Sequence, residues 1–420
     1  MRRRVFHTAI AALKKDDPRR EALRTQYRED RQKLRRERDG TVELVLHEAL
    51  AAFEDKLDKG KFTFALKPGP VVGNKQTYQI GTELSTSFPA KQAAGAIREA
   101  TATEPPNRNS IVRALKESLD KSYTHAIYKT DIESFFESIP HNRLLQKAVQ
   151  LPALDGVSIH LISTLLSEFA ALTGTNVGLP RGVGLSSQLA ELFMADFDLT
   201  AKAQPGVLFY ARYVDDIVVV IDSHKSLDTI RQSLVNHLES SGLRVKDDKT
   251  SEIMVDGQGQ YPEFIAVEYL GYRFTKGTAG LTTGLTAARS RRRKRRLHLT
   301  FDHWLSTDPD PAAPNHGHDG MLVDRIRYLG SNTRLQNSKS SVTIGLYHSN
   351  SSLDENAVEL VEMDRILEKF LLDHGYKMSS QARARIEEVS FVTMFSSKPF
   401  LRLPQKRIEK IVSIWKAVGA

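Results

Sequence analysis

One twelve-residue segment constrains this chain more than any other: Tyr210-Ala211-Arg212-Tyr213-Val214-Asp215-Asp216-Ile217-Val218-Val219-Val220-Ile221. Aromatic residues precede an Asp-Asp pair, and a β-branched run follows it. β-branched and aromatic side chains suit a pleated strand, while acidic residues favour turns. The segment therefore predicts a β-hairpin whose tight turn presents two carboxylates. For a lone acidic pair the turn preference alone is explanation enough. Adjacent carboxylates also repel each other, however, and a divalent cation is a common counter-charge.

A further acid stands in Ile127-Tyr128-Lys129-Thr130-Asp131-Ile132-Glu133-Ser134-Phe135-Phe136. Asp131 is expected to close a short strand and precede a helix. Alone it would read as an N-cap. If its strand lies beside the hairpin, Asp131 meets Asp215 and Asp216. Three carboxylates with a backbone oxygen make a hard-cation site suited to Mg²⁺. Two such ions roughly 3.5–4 Å apart serve phosphoryl transfer.

Around these motifs, from 124 to 285, short β-like segments alternate with amphipathic helices, which predicts an α+β domain. A chain of 420 residues has room for two or three subdomains. Residues 1–58 read as a charged helical segment with an apolar series at Leu44, Leu46, Leu50 and Phe53, and 60–90 as strands and loops. Pro105-Pro106-Asn107 marks a turn, and the Pro-rich stretch from Asp308 to His318 a loop in which His316 and His318 are incidental. Ser352 followed by Glu355 carries a capping-box pattern, and Ile411, Ile414, Trp415 and Val418 supply an apolar face near the end.

Several classes are excluded. The chain has no cysteine, so thiolate nucleophiles, disulfides and Cys-based zinc sites are out. No uninterrupted apolar run approaches a membrane span. Met1-Arg2-Arg3-Arg4-Val5 leads into no apolar core, so a cytoplasmic protein is expected. The net charge of +9 is uneven: residues 1–40 hold 14 Lys/Arg against 7 Asp/Glu, and residues 289–296 hold seven cations in eight positions. Such concentration suits a polyanionic partner, or else two solvated segments.

Taken in order, the motifs resemble those of reverse transcriptases. Asp131 to Phe136 resembles the first palm motif. Gly178-Leu179-Pro180-Arg181-Gly182-Val183-Gly184-Leu185-Ser186-Ser187 resembles the following loop-to-helix motif. Tyr213-Val214-Asp215-Asp216 resembles the catalytic box. Gly242-Leu243-Arg244-Val245 with Asp248-Lys249-Thr250 resembles the next motif, and Tyr269-Leu270-Gly271-Tyr272 the primer grip. The resemblance implies an α+β right-hand polymerase: fingers, a palm with an antiparallel sheet and catalytic β-hairpin, and a thumb, flanked by helical N- and C-terminal segments. The corresponding divisions are 1–60 (basic helical), 61–123 (fingers-like), 124–285 (palm) and 286–420 (thumb and helical C-terminal domain).

It also implies roles. Asp131, Asp215 and Asp216, with the Ile132 carbonyl, would hold two Mg²⁺ ions, Mn²⁺ being a substitute. Phe136 falls at the steric gate against a ribose 2′-hydroxyl, and Lys249 at the lysine that protonates departing pyrophosphate. Arg108 and Arg113 are candidate cations for the triphosphate. Tyr269, Leu270 and Gly271 form the primer grip. Arg289, Arg292, Arg293 and Arg296 share a helical face for the template–primer backbone. Arg181 departs from the glutamine usual at its position and brings a phosphate-matching fork. Its Pro-Arg-Gly form, with Leu189-Ala190-Glu191, Tyr328 to Leu335 and Ile344 to Asn350, is similar to bacterial abortive-infection and defence-associated reverse transcriptases.

The implied activity is RNA-directed DNA synthesis from dNTPs in anti-phage defence, in a bacterial cytoplasm. Its partners would be an RNA template, in one form a dedicated non-coding RNA, a DNA product, and a second copy or a defence protein, with no membrane. The alternatives are a template-independent or protein-primed polymerase, a retron-type enzyme, and a non-catalytic RNA-binding assembly protein with a retained polymerase fold.

Overall fold

The computed structural model describes residues 17–101, 107–121, 123–255, 266–277, 280–307, 318–334 and 342–416. The extreme N-terminal basic residues, Pro105-Pro106, the 308–317 loop with His316, Leu335 and Val418 lie outside the described residues. The chain forms two compact units, residues 1–104 with 134–196, and residues 105–133 with 197–420. These units cut across the four expected divisions. The 134–196 part of the expected palm builds a helical core together with N-terminal elements.

In the first unit, α1 (Arg19–Asp58) is a 40-residue helix with no buried residue. Leu44, Leu46 and Leu50 stay exposed, and Phe53 packs edge-on to Phe62 at 5.2 Å. The hairpin of β1 (Lys67–Val72) and β2 (Lys75–Gln79) follows. Residues 60–90 are not strand and loop throughout, since α2 (Leu84–Thr101) begins within them and buries Ala90, Ala93 and Ile97. In the second unit α3 (Arg108–Leu119) is capped by the Asn107 side chain, which accepts from the Asn109 N–H. Strand β3 (His125–Asp131) comes next.

Back in the first unit, the short α4 (Phe135–Ser138) and α5 (His141–Gln150) lead to α6 (Gly156–Thr173). By length and apolar composition α6 could cross a membrane. Its Leu161, Ile162, Leu165, Leu166 and Phe169 are instead buried in the unit, and Glu168 accepts hydrogen bonds from the Phe64 and Leu66 N–H groups. Helix α7 (Gly184–Ala203) then runs into the second unit.

There β4 (Val207–Tyr213), β5 (Asp216–Ile221) and β6 (Ser251–Val255), with α8 (His224–Ser240) between the last two, complete a four-stranded antiparallel sheet ordered β4-β5-β3-β6. Ile217 to Ile221 are all buried, as the apolar run requires. A three-stranded antiparallel sheet follows: β7 (Val267–Tyr269), β8 (Tyr272–Gly277) and β9 (Gly280–Leu285). Helices α9 (Ala287–Ser306), α10 (His318–Gly330) and α11 (Val358–His374) then join its core. The Ser352/Glu355 pattern does not start a helix. Helix α11 begins at Val358 behind Ala357, because Asp354 holds the preceding turn by accepting from the Thr283 N–H (2.6 Å) and pairing with Lys116 (2.7 Å). The observed mixture of helices and antiparallel sheets is the expected α+β class.

One buried ion pair positions the β4–β5 hairpin. The Arg212 side chain is only 2% exposed and pairs with Asp198 at 2.7 Å. It also donates to the Val214 carbonyl at 2.8 Å, and the Tyr210 hydroxyl donates to Asp198. Removing one partner of such a pair strands a buried charge. Asp198→Ala is therefore expected to lower unfolding stability by about 3 kcal/mol in urea titrations, nearer the low end because Asp198 is part-exposed. A loss under about 1 kcal/mol would show that the pair does not anchor the hairpin.

Candidate active site

The three aspartates meet at one end of the four-stranded sheet. In the β3–β5 register Asp131 stands directly opposite Asp216, so their side chains share a face. Asp215 lies in the two-residue turn between Tyr213 and Asp216. The backbone ties these positions together. The Ile132 N–H donates to the Asp215 carbonyl (2.9 Å) and the Lys246 N–H to the Asp131 carbonyl (2.8 Å). The buried Tyr269 hydroxyl donates to the Asp216 carbonyl (2.9 Å).

Charge is crowded here. Burial, then the Asp131 and Asp215 carboxylates, push the Asp216 carboxyl up to about 6, with Lys129 and Lys249 acting in the opposite sense. The Oδ1 atom of Asp216 is buried and has no hydrogen-bond partner among the described residues. The Lys249 ammonium bonds to Asp131, and that bond raises its pKa. Burial of Tyr269, with the Asp216 charge beside it, pushes the phenol well up, so it remains a donor.

Among the described residues no three His, Asp or Glu side chains close into a metal cage. The donor chemistry nevertheless fits a hard divalent cation. All three side chains are carboxylates, one buried oxygen is unpaired, and Asp131 takes its counter-charge from a half-exposed lysine.

Two hairpin tips carry backbone outside the regions that L-residues prefer. Val214 has φ 62°, at a turn position that ordinarily takes glycine. Leu270 and Gly271, between Tyr269 and Tyr272, have φ 47° and 79°, as a type I′ turn demands. The Arg108 guanidinium is directed to this second tip. It donates to the carbonyls of Leu270 and Ser349 and lies 4.9 Å from the Tyr272 ring centroid. Expected to face a triphosphate, Arg108 instead braces the turn expected to grip the primer. Arg113 is exposed on α3.

Phe136 and Arg181 belong to the first unit. Phe135 is buried, whereas Phe136 is only partly so, and the Arg181 guanidinium lies 4.9 Å from the Phe136 ring centroid. The Arg181 fork is engaged by Glu137 through contacts of 2.5 and 3.0 Å. Burial alone would raise Glu137, but Arg181 outweighs it and holds the carboxyl low. Arg181 is thus neutralised in place of standing as the free phosphate fork its sequence position suggests.

The basic run lies on α9, where Arg289, Arg292, Arg293 and Arg296 line one cleft. Sequence reading missed the Arg212–Asp198–Tyr210 network and the Arg108 brace. The alternation expected of β4 was the one available signal for the first, since it puts Tyr210 and Arg212 on the same face.

Residues 79–274 match the reverse transcriptase (RNA-dependent DNA polymerase) family. The retron Ec86 reverse transcriptase of Escherichia coli is 29% identical over 126 residues, covering 30% of this chain and 37% of that protein. The match thus spans well under half of the relative's length. Among solved structures, telomerase from Candida albicans in complex with a fragment of telomeric RNA is 11% identical, with a TM-score of 0.38 over 78% of this chain and 53% of that one. Apo telomerase from Candida tropicalis is 12% identical, with a TM-score of 0.38 over 78% and 56%.

The left-handed Val214 makes a stability prediction. A non-glycine residue in this region stores about 1–3 kcal/mol of strain, while glycine adds about 1 kcal/mol of unfolded-state entropy. Val214→Gly should therefore leave the melting temperature unchanged or raised. A clear fall would mean that the valine side chain, and not the backbone geometry, is what the turn needs.

Proposed function

We propose that this chain, whose residues 79–274 match the reverse transcriptase family, is a nucleotidyltransferase that copies RNA into DNA from dNTPs. One observation carries the reading: Asp131 and Asp216 are paired across neighbouring strands, with Asp215 in the adjoining turn. Asp131, Asp215, Asp216 and the Ile132 carbonyl would hold two Mg²⁺ ions, replaceable by Mn²⁺. When bound, they supply the positive charge that phosphoryl transfer between a 3′-hydroxyl and a triphosphate requires.

The chain's own groups do the rest. Lys249, already protonated on Asp131, is a proton donor for the departing pyrophosphate. Tyr269, Leu270 and Gly271, braced by Arg108, form a rigid tip for the primer end. Phe136, whose ring lies against the Arg181 guanidinium, would be the steric gate, since an aromatic ring offers a 2′-hydroxyl no hydrogen bond. Arg113 remains the exposed candidate for phosphate contact. An RNA template, a bacterial cytoplasmic setting and a role in anti-phage defence, alone or with a second copy or a defence protein, complete the proposal. The partial match to a retron enzyme favours a retron-type arrangement as the second reading.

Asp215→Ala with Asp216→Ala should abolish incorporation of labelled dNTPs on a primed RNA template. The same change removes like-charge crowding, so the melting temperature should hold or rise. Residual synthesis near the wild-type rate would exclude these carboxylates from the chemistry.

Phe136→Ala should raise the ratio of ribonucleotide to deoxynucleotide incorporation, because the ring denies the 2′-hydroxyl both space and a hydrogen bond. An unpaired hydroxyl costs about 1–3 kcal/mol, which corresponds to a change of roughly 5- to 150-fold. An unchanged ratio with lowered stability would make Phe136 a packing residue.

A further inference from the structure

Helix α9 sorts its basic run into two faces. Arg291 and Arg295 are exposed and lie outside the cleft, whereas the partly buried Arg289, Arg293 and Arg296, with the exposed Arg292, line a cavity of about 590 Å³. Lys416 joins them from the C-terminal end of the described chain, and none of the described lining residues is acidic. The volume lies within the range of ligand pockets. Ser331 and Thr333 add hydroxyl groups to the wall.

This concentration of like charge bears on the arginines themselves. Burial, then repulsion from Arg289 and Arg296, pushes Arg293 down to about 10. Arg289 and Arg296 are also lowered, first by burial and then by neighbouring arginines. An anion seated among the arginines would relieve both effects. Guanidinium forks match phosphate oxygens bidentately.

The cleft is concave, and Val412, Trp415 and Ile344 to Leu346 also line it. A duplex backbone has to run continuously past its contacts, whereas a concave cleft of this size can take an end or a detached group. We propose that this cleft binds an oligophosphate group, borne either by a free nucleotide or by the 5′ end of a nucleic-acid strand. The proposal does not depend on the carboxylate chemistry, although Arg289 also reaches the Gly271 carbonyl of the β7–β8 tip at 3.4 Å.

The test is calorimetric binding to the whole protein in EDTA, where divalent-dependent nucleotide binding at the aspartates makes no contribution. The probes are inorganic tripolyphosphate, ATP, and one short RNA carrying either a 5′-triphosphate or a 5′-hydroxyl. Arg293→Gln with Arg296→Gln should weaken tripolyphosphate binding at least about tenfold, the order expected for losing charge-assisted hydrogen bonds. Lys416→Glu, at an exposed position, should weaken it too and does not depend on the core surviving a double change. Arg291→Gln with Arg295→Gln removes the same charge from the outer face and should have little effect.

Loss of ATP binding in the cleft variants would identify a free nucleotide. Loss confined to 5′-triphosphate RNA, with 5′-hydroxyl RNA weakly bound throughout, would identify a strand end. The proposal is overturned if wild-type protein binds none of the phosphate probes, if the outer-face control loses as much as the cleft variants, or if the two RNAs bind equally and ATP does not.

Discussion

The candidate site depends on one register. Because β3 and β5 are antiparallel with Asp131 opposite Asp216, two acidic side chains leave one sheet face from Cβ atoms roughly 5 Å apart. A slip of one residue would send Asp131 to the other face. That slip is opposed by the buried Ala126, Ile127 and Tyr128 on one strand and Ile217 to Ile221 on the other. Two unit charges at that distance repel by roughly 3 kcal/mol at an effective dielectric near 20. The sheet core therefore holds a pair that would otherwise separate, and the raised Asp216 and the lysine on Asp131 are its electrostatic consequences.

The same logic extends into the hairpins. Each acidic residue has its main chain tied to another element: Asp131 to Lys246, Asp215 to Ile132, Asp216 to Tyr269. The β4–β5 tip is further held by Arg212 on the Val214 carbonyl, and the β7–β8 tip by Arg108 on the Leu270 carbonyl. Both tips contain a bulky residue at positive φ. Such backbone persists only where its surroundings over-determine it, and here each strained residue has an arginine on its own carbonyl. Strain and brace occur together at the two turns whose exact placement a template–primer and a nucleotide would need.

How much of this could be read beforehand follows from the range of the forces involved. The β4–β5 hairpin and the strand ending at Asp131 were legible, because alternation and turn preference act within a few residues. So was the face shared by Arg289, Arg292, Arg293 and Arg296, which follows from helical spacing. The partners of single arginines were not legible. Arg108 meets Leu270 across 162 positions and Arg181 meets Glu137 across 44, and no local pattern encodes either meeting. The Ser352/Glu355 pattern misled for the same reason, since Asp354 is claimed by Thr283 and Lys116 from distant segments.

That distinction changes what the net charge of +9 means. Exposed arginines such as Arg291 and Arg295 act through solvent and lose most of their reach beyond about 8 Å at physiological salt. Of the cleft arginines, Arg289, Arg293 and Arg296 sit partly out of water, where screening is weaker and like-charge repulsion is retained. Counted along the sequence the two sets are identical. In the folded chain the outer set can only draw a polyanion toward the surface, while the inner set lines the cleft in which the proposed anion would be seated. The concentration of positive charge in α9 therefore has two parts, a diffuse attraction that salt abolishes and a local demand for phosphate that salt only weakens.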